Sequence, residues 1–205
     1  MLSQLMRVWV VTTLVAFSAT AEGREAAGHL QVLVLVLNRA GVEQATILAA
    51  ERTASRTYQQ AAVDIVWMNC LSPAEPKVDQ CEQLKDPGLV LKIEHDTQTL
   101  SADDYGVAFL GDDGRGTFCD VFYDRILRVY QASRASEATI LGIVMAHELG
   151  HLLLGLNAHS AAGLMRSQWG YKDFSSEQGA TFSRQEAQKI CARLKQATLI
   201  GRATQ

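Results

Sequence analysis

The stretch from Leu30 to Leu37 constrains the fold more than any other part of the sequence, because it is an almost unbroken run of valine and leucine. Such a run has no helical period and no regular alternation with polar residues, so it predicts a strand buried on both faces. Gly41 ends it, and residues 42–60 have the composition and apolar spacing of an amphipathic helix. The next β-prone run is Val63–Met68. This order predicts two parallel strands joined by a right-handed crossover.

Three further β-prone runs follow, at Leu89–Ile93, Val107–Leu110 and Phe118–Tyr123. Glycines and aspartates between the last two runs are typical of tight turns, so these two runs predict an antiparallel hairpin. Asp112 and Asp113 lie in that turn, where turn formation is their ordinary role. Calcium binding is the alternative, but the sequence lacks oxygen ligands at the spacing of a calcium loop.

Two more helices are predicted toward the C-terminus. The first runs from about Ser136 to Leu154, with Ser136 and Gly155 as cap residues. The second runs from near Ser183 to Ala197 and opens with the capping-box pair of Ser183 and Glu186. Together the elements predict an α/β (α+β) fold with a mixed, mostly parallel twisted sheet, an antiparallel edge strand, one long inner helix and a C-terminal helix.

The first 21 residues have the three parts of a secretory signal peptide. Arg7 precedes the apolar run Val8–Phe17, and Ala19-Thr20-Ala21 forms an Ala-x-Ala cleavage site. The apolar run is shorter than the roughly 20 residues that span a bilayer, so no permanent membrane anchor is expected. These features predict a signal peptide at 1–21 and one domain at 22–205, in a secreted or periplasmic protein.

Charge and cysteine content narrow the partners and the compartment. The formal net charge is -3 and no basic run is present, so we expect no nucleic-acid partner. We also expect the protein to be a monomer. The four cysteines are an even number in an exported chain and predict two disulfides. Three pairings are open. Cys70 and Cys81 flank one polar segment, and their pairing leaves Cys119 to bridge to Cys191.

The long helix contains the sequence His147-Glu148-Leu149-Gly150-His151. Two histidines four residues apart project from one face of a helix, so both imidazoles can reach a single tetrahedral zinc ion. Glu148 then lies beside the metal without ligating it. A carboxylate in that position can take a proton from a zinc-activated water and later give it to the leaving nitrogen. The segment therefore predicts a zinc hydrolase with Glu148 as general base.

A catalytic zinc needs a third protein ligand and leaves one position for water. His159 is the next histidine, beyond Gly155, a residue that can adopt the left-handed conformation and turn the chain back toward the metal. Glu177 and Glu186 are the alternatives. His159 is preferred because neither glutamate belongs to a second helical ligand motif.

The pattern His147-Glu148-x-x-His151-x-x-x-Gly155-x-x-x-His159-Ser160, followed by Gly163-Leu164-Met165, resembles the zinc-binding consensus and Met-turn of the metzincin metallopeptidases. It has some similarity to the matrix metalloproteinase branch. The consensus has two residues on each side of its glycine, and this chain has three. The resemblance implies a metzincin-like zincin domain, a secreted zinc endopeptidase acting on proteins or peptides, with Met165 beneath the zinc. It also implies an edge strand at Val107, Ala108, Phe109 and Leu110, where an extended peptide can add.

Other interpretations stay open at the level of the sequence. Tyr171 is a candidate oxyanion donor, as a tyrosine is in some metzincins, and simple packing is its alternative role. A secreted binding protein with structural zinc, or an inactive zincin domain, is the alternative function. A zinc hydrolase of non-peptide amides is another, because it shares the same metal chemistry.

Overall fold

The computed structural model describes residues 30–70, 88–96, 104–157, 159–175 and 180–203. The predicted signal peptide, Cys81 and Glu177 lie outside the described residues. The elements, in chain order, are β1 (Leu30–Asn38), α1 (Gln44–Gln59), β2 (Val63–Cys70), β3 (Leu89–Glu94), β4 (Gly106–Phe109), β5 (Phe118–Phe122), α2 (Tyr123–Ala132), α3 (Glu137–Leu154), a short 3-10 helix (Asp173–Ser175) and α4 (Arg184–Ala203).

One sheet of five strands, in the order β2-β1-β3-β5-β4, organises the described chain. Strands β2, β1, β3 and β5 pair in parallel, and β4 pairs antiparallel with β5 at the edge of this sheet. The apolar run Leu30–Leu37 forms most of β1, which lies between β2 and β3, and Val34 and Val36 within it are buried. The predicted mixed, mostly parallel sheet with an antiparallel edge strand is confirmed.

Helix α3 is the centre of the hydrophobic core. It packs against α1, α2, α4 and the sheet. Among the described helices, α3 is long and apolar enough to cross a membrane, but 83% of it is buried inside the fold. Its apolar composition is therefore explained by its place in the core, where each fully buried leucine or isoleucine contributes about 1.5–3 kcal/mol.

The predicted ends of α3 and the start of α4 are confirmed. The Ser136 Oγ accepts a hydrogen bond from the Thr139 N–H at 3.1 Å, and Gly155 ends α3 in the left-handed conformation with φ of 68°. At the start of α4 the Ser183 N–H donates to Glu186 Oε2 at 2.7 Å, and the Glu186 N–H donates to Ser183 Oγ at 3.2 Å. These local bonds satisfy N–H groups that a helix start leaves unpaired.

The structure differs from the sequence prediction between Phe122 and Ala132. The run ending at Tyr123 was predicted to be wholly strand, but β5 ends at Phe122 and α2 begins at Tyr123. Ile126 and Val129, three residues apart, are buried on one face of this helix. The helix was missed because a buried strand end and a short buried helix have similar apolar content.

The predicted bridge between Cys119 and Cys191 is wrong, because both are free thiols. Cys119 is fully buried in β5 and Cys191 lies on α4, where its Sγ–H donates to the Ala61 carbonyl at 3.2 Å. The two thiols thus have separate environments. Cys70 is a disulfide cysteine.

A close backbone approach between α1 and α3 makes Gly142 necessary, and this is testable. A Cβ at Gly142 would lie 2.5 Å from the Ala50 carbonyl oxygen and 2.7 Å from the Thr53 Cβ. Helix propensity alone favours alanine over glycine by about 1 kcal/mol. Overpacking costs about 1–3 kcal/mol, and the Ala50 carbonyl, as a backbone group, cannot rotate away as a flexible side chain can. Gly142→Ala should therefore lower the free energy of unfolding, measured by urea denaturation.

Ala192→Gly, at an exposed position of α4, is the control that measures the intrinsic difference between the two residues in this protein. A Gly142→Ala variant more stable than the wild type would show that α1 and α3 are not packed this tightly.

Candidate metal centre

Three histidines come together at the C-terminal end of α3. His147 and His151 lie one helical turn apart on α3, and His159 reaches them from the segment after Gly155. One ring nitrogen from each histidine lies within 4.8 Å of the other two. His147 and His151 are buried, whereas His159 is exposed at the opening. The three residues predicted as ligands are thus brought to one point.

Two backbone carbonyls orient the rings of the buried histidines. The His147 Nδ1–H donates to the Leu164 carbonyl at 2.7 Å, and the His151 Nδ1–H donates to the Leu156 carbonyl at 2.8 Å. A carbonyl oxygen can only accept, so each Nδ1 carries the proton and each Nε2 keeps a lone pair when the ring is neutral. The two Nε2 atoms face each other at 3.1 Å.

The electrostatics of the cluster fit a bound cation. Burial, with the neighbouring His151, lowers the pKa of His147 to about 3, and burial also lowers the pKa of His151. Both rings are therefore neutral near pH 7, and two lone pairs 3.1 Å apart repel unless a cation lies between them. Neutral imidazole nitrogens are ligands that zinc prefers. The residues His147, His151 and His159 thus form a site that fits one zinc ion.

Gly155 explains how His159 reaches the site, although this chain has one residue more than the metzincin consensus on each side of that glycine. Its left-handed conformation reverses the chain directly after α3, and its N–H and that of Leu156 both donate to the His151 carbonyl, at 2.9 and 3.3 Å. The same turn places the Leu156 carbonyl under the His151 ring. One glycine therefore ends the helix, orients one histidine and redirects the chain toward another.

Met165 packs against α3 at Gly150. Its Sδ is 2.6 Å from the position a Cβ on Gly150 would take, so a larger residue at 150 would displace it. Met165 is fully buried, and its carbonyl accepts from the Ser160 N–H at 2.7 Å. The turn that contains Met165 also supplies the Leu164 carbonyl to His147.

Glu148 is buried beside the cluster, under the start of the edge strand. A Cβ on Gly106 would lie 2.6 Å from the Glu148 Cγ, so the absence of a side chain at 106 makes room for this carboxyl group. Burial, with the charge of Asp104, raises the pKa of Glu148 to about 8. A cation bound by the histidines would oppose this shift, because a nearby positive charge favours the charged carboxylate.

The cluster opens into a cleft of about 210 Å³. Strand β4 forms part of one wall of this cleft. The lining includes both apolar and polar residues: Asp104, Tyr105, Gly106, Val107, Ala108, Ile143, Val144, His147, Glu148, His151, Asn157, His159, Arg166, Ser167 and Trp169. On the other side, Trp169 stacks on Phe174 with ring centroids 5.1 Å apart. Phe174 meets Tyr105 edge to face at 5.6 Å, so aromatic contacts tie the two walls together.

The hydrogen-bond pattern of β4 leaves backbone groups of two cleft-lining residues unpaired with β5. The Phe122 N–H donates to the Tyr105 carbonyl at 2.9 Å, so Tyr105 and Phe122 form a hydrogen-bonded pair. Such pairs alternate along antiparallel strands, and the next one joins Val107 to Asp120. Gly106 and Ala108 therefore point their N–H and C=O groups away from β5, toward the side of β4 on which no described strand lies.

Several residues named from the sequence lie elsewhere. Tyr171 is 56% exposed and is not among the residues that line the cleft. Glu186 is not a ligand in the histidine cluster, and its carboxylate is bonded to Ser160 and Ser183. Of the predicted edge residues, Val107 and Ala108 line the cleft, while Phe109 and Leu110 lie beyond it.

The turn between β4 and β5 agrees with the turn interpretation of Asp112 and Asp113. The Asp113 Oδ1 accepts from the Arg115 N–H at 2.9 Å, and the Gly114 N–H donates to the Gly111 carbonyl at 2.9 Å. A carboxylate that accepts from the backbone two residues on is an ordinary turn contact.

The cleft lining includes residues that were not among the predicted site residues, among them Asp104, Arg166 and Trp169. Arg166 and Trp169 come just after the turn at Met165, and the Arg166 guanidinium lies 4.7 Å from the Trp169 ring centroid. Their position in the sequence just after Met165 was the feature that could have indicated a place near the site. No sequence pattern indicated Asp104. Its carbonyl accepts a hydrogen bond from Arg125, a buried residue of α2, and a contact between separate segments of the chain cannot be read from the local sequence.

Comparisons with known proteins show the fold. No family model matches the chain, and no curated protein sequence matches it significantly. Among solved structures, archaemetzincin from Methanopyrus kandleri matches with a TM-score of 0.51 at 18% sequence identity, over 83% of this chain and 98% of that protein. A zinc-dependent peptidase from Methanocorpusculum labreanum matches with a TM-score of 0.50 at 11% identity, over 77% of this chain and 99% of that protein. At these identities the likeness shows that the chain has the fold of zincin-like peptidases.

Proposed function

We propose that this protein is a secreted, metzincin-type zinc endopeptidase in which His147, His151 and His159 hold the metal and Glu148 is the general base. The observation that carries the proposal is the pair of facing Nε2 lone pairs at 3.1 Å, each fixed by a carbonyl on the other side of its ring. With His159 they make a three-nitrogen site that opens into a cleft beside a buried carboxyl group.

A zinc ion held by His147, His151 and His159 would lower the pKa of a bound water and polarise the carbonyl group of a substrate. Glu148 takes a proton from the attacking water while the water oxygen forms a bond to the carbonyl carbon of the substrate. Glu148 then gives that proton to the leaving nitrogen as the C–N bond breaks, which leaves a carboxylic acid and an amine. The enclosure of Glu148 under β4 keeps its carboxyl group directed into the cleft and limits access of bulk water.

The edge of β4 that no described strand covers supports a peptide as the substrate. The N–H and C=O groups of Gly106 and Ala108 point away from β5, and both residues line the cleft, in the arrangement that an additional strand requires. A peptide paired there passes the Glu148 carboxyl group, because Gly106 lies directly against it. Non-peptide amides lack the repeated backbone groups that this edge can bind.

The composition of the cluster supports a catalytic site over a structural one. A structural zinc site is closed by four protein ligands, whereas a catalytic site keeps one position open. In the parts of the chain that the structure describes, the cluster has three members, all histidines. Its position in an open cleft agrees with this.

Metal binding provides the first test. The full chain should bind one zinc ion, and His159→Ala should weaken zinc binding by more than about 100-fold, since loss of a ligand exceeds the loss of an outer-shell partner. Metal content by mass spectrometry and competition with a chromophoric chelator measure both quantities. His95→Ala is the matched control, because His95 is an exposed histidine paired with Asp124, outside the cluster. Equal zinc affinity in the two variants would remove His159 from the site.

The role of Glu148 is tested with Glu148→Gln, which keeps the shape of the side chain and removes its ability to take a proton. We expect kcat/KM on casein or a peptide library to fall about 10²–10⁴-fold, the usual contribution of general acid–base catalysis, while bound zinc is retained. Glu94→Gln, in an ion pair with Arg39 at the surface, is the control. Full activity in Glu148→Gln would rule out this mechanism.

Secretion is tested at the N-terminus. The Ala-x-Ala site ending at Ala21 predicts that protein recovered from the periplasm or medium begins at Glu22. N-terminal sequencing measures this. Replacement of Ala21 by a large charged residue should block cleavage, and an exported protein that still begins at Met1 would contradict the proposed signal peptide.

A further inference from the structure

The third histidine is held differently from the other two. The rings of His147 and His151 are each fixed by a hydrogen bond to a carbonyl group. Within the described residues, no such bond holds the ring of His159, which is exposed at the mouth of the cleft. Apart from contacts with the rings of His147 and His151, its position therefore depends on the chain segment that carries it.

Ser160, the residue that follows His159, is anchored at two points. Its N–H donates to the Met165 carbonyl at 2.7 Å, and its Oγ–H donates to the Glu186 Oε1 on α4. The first bond closes the turn between Ser160 and Arg166. The second ties that turn to a different element of the fold.

The two oxygens of the Glu186 carboxylate have separate partners. Oε2 accepts from the Ser183 N–H at 2.7 Å as part of the capping box of α4. A capping box needs only one of the two oxygens. Oε1, which the box does not use, accepts from Ser160, and the Glu186 side chain is buried where the two elements meet.

The segment just before α4 contacts the other end of the same turn. The Leu164 N–H donates to the Thr181 carbonyl at 2.8 Å, and the Leu164 carbonyl in turn accepts from His147. The turn from Ser160 to Leu164 is thus bonded at one end to Glu186 on α4 and at the other end to Thr181, in the segment just before α4. One end carries His159 and the other orients His147.

We infer that Glu186 is a positioning residue for the metal site, which holds His159 in place through its hydrogen bond with Ser160. This inference rests on the proposed zinc site and adds an outer contact from α4. Outer contacts that orient ligands typically change metal affinity by about 10–100-fold. A carboxylate acceptor suits this role, because hydrogen bonds to charged groups are stronger than neutral ones.

The test compares zinc affinity in variants of the full chain, measured by competition with a chromophoric chelator. Ser160→Ala removes the bond to Glu186 and leaves the capping box intact, so zinc binding should weaken about tenfold. Ser183→Ala removes one bond of the capping box and leaves Ser160 bonded to Glu186. It should lower the melting temperature and leave zinc affinity within about twofold of the wild type.

Two further variants separate positioning from a general loss of structure. Ser160→Thr keeps the hydroxyl group and should keep wild-type affinity. In a Glu186→Ala background, Ser160→Ala should have no additional effect, because the bond is already lost. The visible spectrum of the protein loaded with Co²⁺ should change in Ser160→Ala and stay unchanged in Ser183→Ala, since it reports the ligand geometry.

The outcomes distinguish this inference from the function it rests on. A wild-type chain that binds no zinc would overturn both. A wild type that binds zinc, with Ser160→Ala at the same affinity, would overturn the inference alone. Equal weakening in Ser160→Ala and Ser183→Ala would assign the effect to the stability of α4 and would also overturn it.

Discussion

The burial of helix α3 is the constraint on which the rest of the structure depends. An apolar helix of 18 residues has to be enclosed on nearly all sides, and α1, α2, α4 and the sheet share that task. Gly142 lets α1 approach at backbone distance, and Gly150 makes room for Met165. The cleft opens along the part of α3 that carries His147, Glu148 and His151, so these polar residues face solvent through it.

That enclosure sets the chemistry of the site. Burial keeps the two histidines of α3 neutral and raises the pKa of Glu148, so the helix presents lone pairs and a weakly acidic carboxyl group side by side. A divalent cation would remove the repulsion between the lone pairs by accepting them, and its charge would lower the pKa of Glu148 by favouring the ionised carboxylate. The carbonyls of Leu156 and Leu164 fix the rings beforehand, so a metal ion meets ligands that are already oriented.

Local signals predicted much of the fold. The valine and leucine run of β1, the caps at Ser136 and Gly155, and the capping box of Ser183 and Glu186 each act within a few residues, and the structure contains all of them. Helix α2 was missed because its apolar residues Ile126 and Val129 form too short a pattern to separate from the end of β5. The expected bridge between Cys119 and Cys191 was wrong, because an even number of cysteines carries no information about distance in space.

The sequence by itself determined the ligands on α3, because the spacing of His147 and His151 places both on one helical face whatever surrounds it. It also indicated the turn at Gly155, since glycine adopts the left-handed conformation without a steric penalty. Only the tertiary structure decided which carbonyls orient the rings, which strand covers Glu148, and that Glu186 bonds to Ser160 instead of joining the histidine cluster. These contacts join segments far apart in the chain. Their geometry depends on how whole elements pack around α3, and no local pattern of residues encodes that.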